Sequence, residues 1–216
     1  MTPIATFIDH TELSPGASAD DITRLCAEAV EHGFHSVCVA PAFVELAVAE
    51  LQHHDPIVAS VIGFPHGNTL ASVKAIEAES ALVFGARELD MVMARGRSLE
   101  EAAREIRVVA DLCESHGAQL KVIIESAAMD DNEIVRASKM VVTAGGNMVK
   151  TSTGFGPGGA SVAAVTLIHR TVPEDIGVKA SGGIRNYETA RAMIAAGASR
   201  IGCSASVNIV EEEKQL

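Results

Sequence analysis

Tryptophan is absent from this 216-residue sequence, tyrosine occurs once, at Tyr187, and aromatic residues make up only 3%. Recognition by stacking bases or sugar rings on aromatic platforms is therefore not expected. Cysteine is scarce and scattered. Cys26, Cys38, Cys113 and Cys203 form no C-x-x-C pair, which argues against a disulfide framework or structural zinc and predicts reduced thiols in the cytoplasm. Positive charge is in deficit, with 17 Lys and Arg against 28 Asp and Glu and a net charge of −11. Nucleic acid is accordingly not an expected partner, because gripping a phosphate backbone needs a dense basic surface. No apolar run approaches the ~18 residues that span a membrane. The opening M-T-P-I-A-T-F-I-D-H lacks the basic-then-apolar order of a signal peptide. Neither H-x-H nor H-x-x-E-H spacing occurs, so no metal site is expected.

What the chain has in quantity is apolar residue, at 48%, enough to build one compact domain over residues 1–216. A phrase recurs along it: an amphipathic helix, then Gly or Gly-Ala, then a short β-rich run. It appears as E-H-G-F-H-S-V-C-V from Glu31, F-G-A-R-E-L-D-M-V from Phe84 and H-G-A-Q-L-K-V-I-I from His116, and returns from Ala144 and Ala196. Glycine just past a helix end supplies the left-handed residue that closes it. The runs that follow have few polar interruptions, as expected of parallel strands covered on both sides. Ile22, Leu25, Ala29 and Val30 are expected on one helix face, and Leu99, Ile106, Val109 and Cys113 on another, the latter behind a Ser98/Glu101 capping box. Asp130 and Glu133 repeat that device. Strands are predicted at Phe7–Asp9, Val37–Ala40, Val58–Ile62, Leu89–Met93, Leu120–Ile124, Met148–Lys150, Gly177–Ala180 and Arg200–Cys203. Each precedes a helical segment. Eight such units predict an α/β fold, a closed (β/α)8 barrel of the TIM type. An open doubly wound sheet would carry a Gly-rich turn after its first strand; D-H-T-E-L-S-P-G stands there instead.

In such barrels chemistry gathers at the C-terminal ends of the strands. Two lysines sit there in matched settings, Lys150 in N-M-V-K-T-S-T-G-F and Lys179 in I-G-V-K-A-S-G-G-I-R. They are 29 positions apart (179 − 150), about one strand–helix unit of roughly 30 residues. One strand-end lysine ordinarily snorkels to solvent. Two at equivalent points reach one place, where burial and mutual repulsion would leave one amine neutral and nucleophilic toward a carbonyl. Asp90, in E-L-D-M-V, is expected to point into the barrel, pair with lysine and move protons. Backbone N–H groups of Gly182, Gly183 and Gly202, with Thr153-Gly154, could converge on one phosphate. Asp9-His10-Thr11 could cap a helix or orient the site. Cys38 reads as core, Glu125 as a base that an isomerase would use instead, and Lys121 as lying one layer below the site.

These motifs resemble deoxyribose-phosphate aldolases. The resemblance runs in order through I-D-H-T, V-C-V-A-P, I-G-F-P-H-G, E-L-D-M-V, K-V-I-I-E, V-K-T-S-T-G-F, V-K-A-S-G-G-I-R and R-I-G-C-S, almost the whole chain. It implies a class I aldolase without metal or other cofactor, reversibly cleaving 2-deoxy-D-ribose 5-phosphate to acetaldehyde and D-glyceraldehyde 3-phosphate. Lys150 would form the imine, Lys179 would lower its pKa, and Asp90 would help relay protons. Gly182, Gly183, Arg185, Gly202, Ser204, Thr153 and Gly154 fall where the family holds phosphate, and Asp9 and Thr11 where it contacts the sugar. Expected partners are thus small phosphosugars and aldehydes, and a second copy if a helical face pairs into a homodimer. Ala40, Ala94 and Ala205 replace Asn, Asn and Ser of many members, changes that bear on efficiency and substrate preference. A phosphosugar-binding barrel without turnover, or another phosphosugar lyase or isomerase, are the alternative readings.

Overall fold

In the computed structural model, which describes residues 2–215, eight parallel strands close into a barrel in chain order. The strands are β1 (Ile8–Glu12), β2 (Ser36–Val39), β3 (Ile57–Ile62), β4 (Glu88–Val92), β5 (Gln119–Ile123), β6 (Met148–Lys150), β7 (Gly177–Ser181) and β8 (Arg200–Cys203). All eight predicted strands are present, and β1 runs on to Glu12 because Thr11 and Glu12 pair with Cys38 and Val39 of β2. The intervening helices are α1 (Ala19–His32), α2 (Val44–Glu50), α3 (Ala71–Val83), α4 (Leu99–Ser115), α5 (Asp131–Thr143), α6 (Val162–Thr171), α7 (Tyr187–Ala195) and α8 (Ser206–Glu213).

Helix starts follow the sequence signals. Capping boxes form at Ser98/Glu101 and Asp130/Glu133, and a third, not singled out from the sequence, at Ser18/Asp21. Gly33 closes α1 at φ +67°. On α1 the buried face is Ile22, Leu25, Cys26 and Ala29; Val30, expected on it, turns outward. Leu99 likewise lies at the exposed first turn of α4.

Strand alternation sorts the residues between two compartments. Leu89, Met91, Leu120, Val122, Val149, Val178, Ala180 and Ile201 face outward and pack under the helices in the main apolar core. The other parity faces the barrel axis. On one side the interior is small and apolar, with Cys38, Ala59 and Val61 against Leu13 and Phe64. On the other side it is ionic.

Candidate active site

β4, β5, β6, β7, β8 and β1 each send an ionisable side chain into the barrel, and β4 sends two. Asp9, Asp90, Lys121 and Lys179 are wholly buried, and Glu88, Lys150 and Arg200 nearly so. Isolated charges in such a place would cost several kcal/mol each; here every one is paired. Asp90 is the hub. Its Oδ2 accepts from Lys150 Nζ and Lys179 Nζ, both at 2.7 Å, and its Oδ1 from Lys121 Nζ at 2.7 Å. Lys179 also donates to Asp9 Oδ2 at 2.5 Å. Below, Lys121 Nζ lies 2.6 Å from Glu88 Oε2, and Arg200 Nη1 bridges Asp9 Oδ1 at 2.8 Å and Glu88 Oε2 at 3.0 Å. Lys150 and Lys179 are register partners on adjacent strands, so their matched motifs do bring both ammonium positions to one carboxylate.

The network contains four cations (Lys121, Lys150, Lys179, Arg200) and three carboxylates (Asp9, Glu88, Asp90). One cation is in excess of the carboxylates, and the environments of the three lysines differ. Burial lowers the pKa of Lys150; Asp90 resists the shift, and the neighbouring Lys179 charge adds to it. Burial also opposes charge on Lys179, but Asp9 and Asp90 outweigh it and raise its pKa. Lys121 is raised in the same way by Asp90, despite its burial and the Lys179 charge. Asp90 stays ionised well below the usual carboxylate range, because three lysines overcome its burial. A neutral Lys150 leaves three cations facing three carboxylates. Lys150 and Lys179 are thus driven apart in pKa around one shared carboxylate oxygen.

Above the network opens a cavity of about 250 Å³. Of the interior lysines only Lys150 lines it. Thr11, Thr153, Gly154, Gly182, Gly183, Arg185, Gly202 and Ser204 line it too. Gly182 and Gly183 take φ +87° and +79°, left-handed values that keep side chains out of the β7–α7 turn. Gly202 is fixed by its neighbour: a Cβ there would lie 2.8 Å from Lys179 Cε. Asp9 and Asp90 lie beneath the cavity rather than on its wall, so Asp9 meets Lys179 and Arg200 where contact with the sugar was expected. Thr11 donates its hydroxyl to the Asp9 carbonyl at 2.8 Å. The Thr153 hydroxyl donates to Glu125 Oε2 at 2.6 Å and accepts from the Phe155 N–H at 3.1 Å, which ties the β6–α6 turn to the end of β5. Glu125 therefore does not face the cavity as a free base.

Glu88 and Arg200 were not singled out from the sequence, although parity carried the signal. Each lies two residues before an inward position, Asp90 and Gly202 respectively, on strands too apolar for a charge to face the helices. Cys38 is core as expected, with burial raising its thiol pKa and its Sγ 4.0 Å from Asp90.

The family model for DeoC/LacD family aldolases matches residues 4–211. The chain belongs to that family. It is an aldolase, a carbon–carbon lyase. Among its relatives is the deoxyribose-phosphate aldolase of Caldanaerobacter subterraneus subsp. tengcongensis, 48% identical over 217 residues that cover 98% of this chain and 94% of the relative. That of Thermococcus gammatolerans is 49% identical, covering 96% of this chain and 95% of the relative. Among solved structures, the deoxyribose phosphate aldolase of Aeropyrum pernix, described as tetrameric, matches with a TM-score of 0.94 at 36% identity, covering 98% of the aldolase chain and 91% of its own. Among the described residues no helix of the aldolase is long and apolar enough to cross a membrane.

Proposed function

We propose that the chain reversibly cleaves 2-deoxy-D-ribose 5-phosphate to acetaldehyde and D-glyceraldehyde 3-phosphate through an imine on Lys150. The observation that carries the reading is that one interior lysine alone both opens onto the cavity and is driven toward the neutral amine. The names of the relatives supply the substrate.

In this reading the Lys150 amine attacks C1 of the open-chain sugar, and the carbinolamine loses water as protons pass through Asp90 and Lys179. The protonated imine draws electrons from the C2–C3 bond. Loss of the C3 hydroxyl proton breaks that bond, releasing D-glyceraldehyde 3-phosphate and leaving the enamine of acetaldehyde. Protonation at C2 and hydrolysis return acetaldehyde and the free amine. Lys179, kept charged by Asp9 and Asp90, holds Lys150 neutral and sits close enough to move protons. The substrate phosphate rests on the Gly182–Gly183 turn, Gly202, Ser204 and Gly154, with Arg185 at the rim. Asp9 acts through Lys179, and Thr11 borders the sugar. The four buried free thiols suit the cytoplasm, the location proposed with this function.

The direct test is aldehyde release from 2-deoxy-D-ribose 5-phosphate by the purified chain. Wild type turns over and Lys150→Ala loses at least about 10³-fold, the scale expected when a covalent nucleophile is removed. Binding of the phosphosugar with no aldehyde release from wild type would replace the proposal by a non-catalytic phosphosugar binder.

A further inference from the structure

A second cavity lies on the same face of the barrel, between the β4–α4 and β5–α5 connections. It measures about 320 Å³, against about 250 Å³ for the cavity above Lys150. Three arginines line it: Arg95 and Arg97 from the M-A-R-G-R-S turn and Arg136 from α5. In a chain of net charge −11 this is a local inversion of sign. None of the three has a carboxylate within ion-pair distance among the described residues, and Arg97 makes only one bond, to the Thr69 carbonyl at 3.3 Å. The single acid on the wall, Glu133, spends its Oε2 on the Asp130 N–H at 2.8 Å, capping its own helix. The floor is apolar, with buried Met93, Ala94, Ala102 and Ala137.

Guanidinium groups brought to one concavity repel one another unless an anion stands between them, and their flat forks match the oxygens of phosphate. The apolar floor and the volume leave room for a carbon skeleton behind that anion. We infer that this cavity binds a phosphomonoester of a short polyol or sugar, at a site separate from the one that carries Lys150. Arg95 also lines a 90 Å³ cleft with Glu125, Thr153 and Phe155, and the last two border the Lys150 cavity.

The test is calorimetric titration of the full chain with sn-glycerol 3-phosphate, which has no carbonyl and forms no imine. Two sites per chain are expected in wild type. Arg95→Gln/Arg136→Gln should leave one, and Arg95→Lys/Arg136→Lys, which keeps the charge but loses the fork, should weaken the second site about tenfold or more. Because all three arginines are exposed, the variants should melt as wild type does. Binding in wild type that survives undiminished in the glutamine variant would overturn the inference, whereas a single wild-type site lost in that variant would count against the phosphate site above Lys150 instead. Inorganic phosphate binding the second site as tightly as the ester would overturn the assignment to a phosphomonoester, since the apolar floor would then contribute nothing.

Discussion

Lys150 and Lys179 share one oxygen of Asp90, yet their protonation is pushed in opposite directions. The difference lies in what else each touches. Lys179 has a second carboxylate, Asp9; Lys150 has the cavity. Removing the charge at Lys179 leaves three cations for three carboxylates with Lys150 among them, so Lys150 must then hold its proton. Lys179→Leu should shift the pH profile of imine formation to the alkaline side and lower the rate at neutral pH; an unchanged profile in an active variant would refute the electrostatic role. The same count has a consequence for stability. Lys150 has a lowered pKa, so between its folded and unfolded pKa values the unfolded chain carries a proton there that the folded chain sheds, and folding is penalised in that range and below it. Lys150→Met should therefore melt higher than wild type, by about 2–4 °C per kcal/mol recovered in a chain of this size, while forming no imine. A lower melting temperature would mean that Lys150 is charged and structural in the resting protein.

At the scale of the element, the network depends on strand parity and on what the strands leave open. A one-residue slip in β4 would turn Asp90 and Glu88 toward the helices and Leu89 toward the axis. The capping box at Ser98 and Glu101 starts the helix that follows that strand, and Ser98→Ala should destabilise by about 1 kcal/mol without changing imine chemistry. Gly202→Ala places a methyl group against Lys179 Cε; displacing that side chain from Asp90 should lower turnover far more than it lowers the melting temperature. Most of these elements were legible in the sequence. Gly-closed helices, capping boxes and apolar runs gave the order and nearly the limits of all eight strands, and the twin Val-Lys motifs led to the partnered lysines. What sequence spacing did not give was depth. Asp9 and Thr11 are two residues apart on the same face of β1, yet Thr11 borders the cavity and Asp9 lies beneath it. Nor did it give Glu88 and Arg200, whose pairing joins strands 112 residues apart in sequence and exists only once the barrel has closed.

For the molecule as a whole, closing the barrel gathers seven ionisable side chains on one side of its interior, and their pairing makes stability depend on pH. Burial would raise the Glu88 carboxyl, but Lys121, His35 and Arg200 outweigh it and bring it from 4.5 down to about 2. A depressed carboxylate stabilises the fold above its unfolded pKa and loses that contribution as pH falls through its folded one. The melting-temperature gap between wild type and Glu88→Gln should therefore be constant above about pH 4.5 and close toward pH 2; a gap that does not vary with pH would show that Glu88 acts through shape alone. The central claim, however, is chemical: the surplus cation of this network is a neutral amine that meets a carbonyl. Incubation with acetaldehyde and borohydride, followed by intact mass and peptide mapping, tests it most directly. One ethyl group per chain, located on Lys150, is the expected result. No adduct, or ethyl groups distributed over surface lysines with Lys150 unmodified, would contradict it.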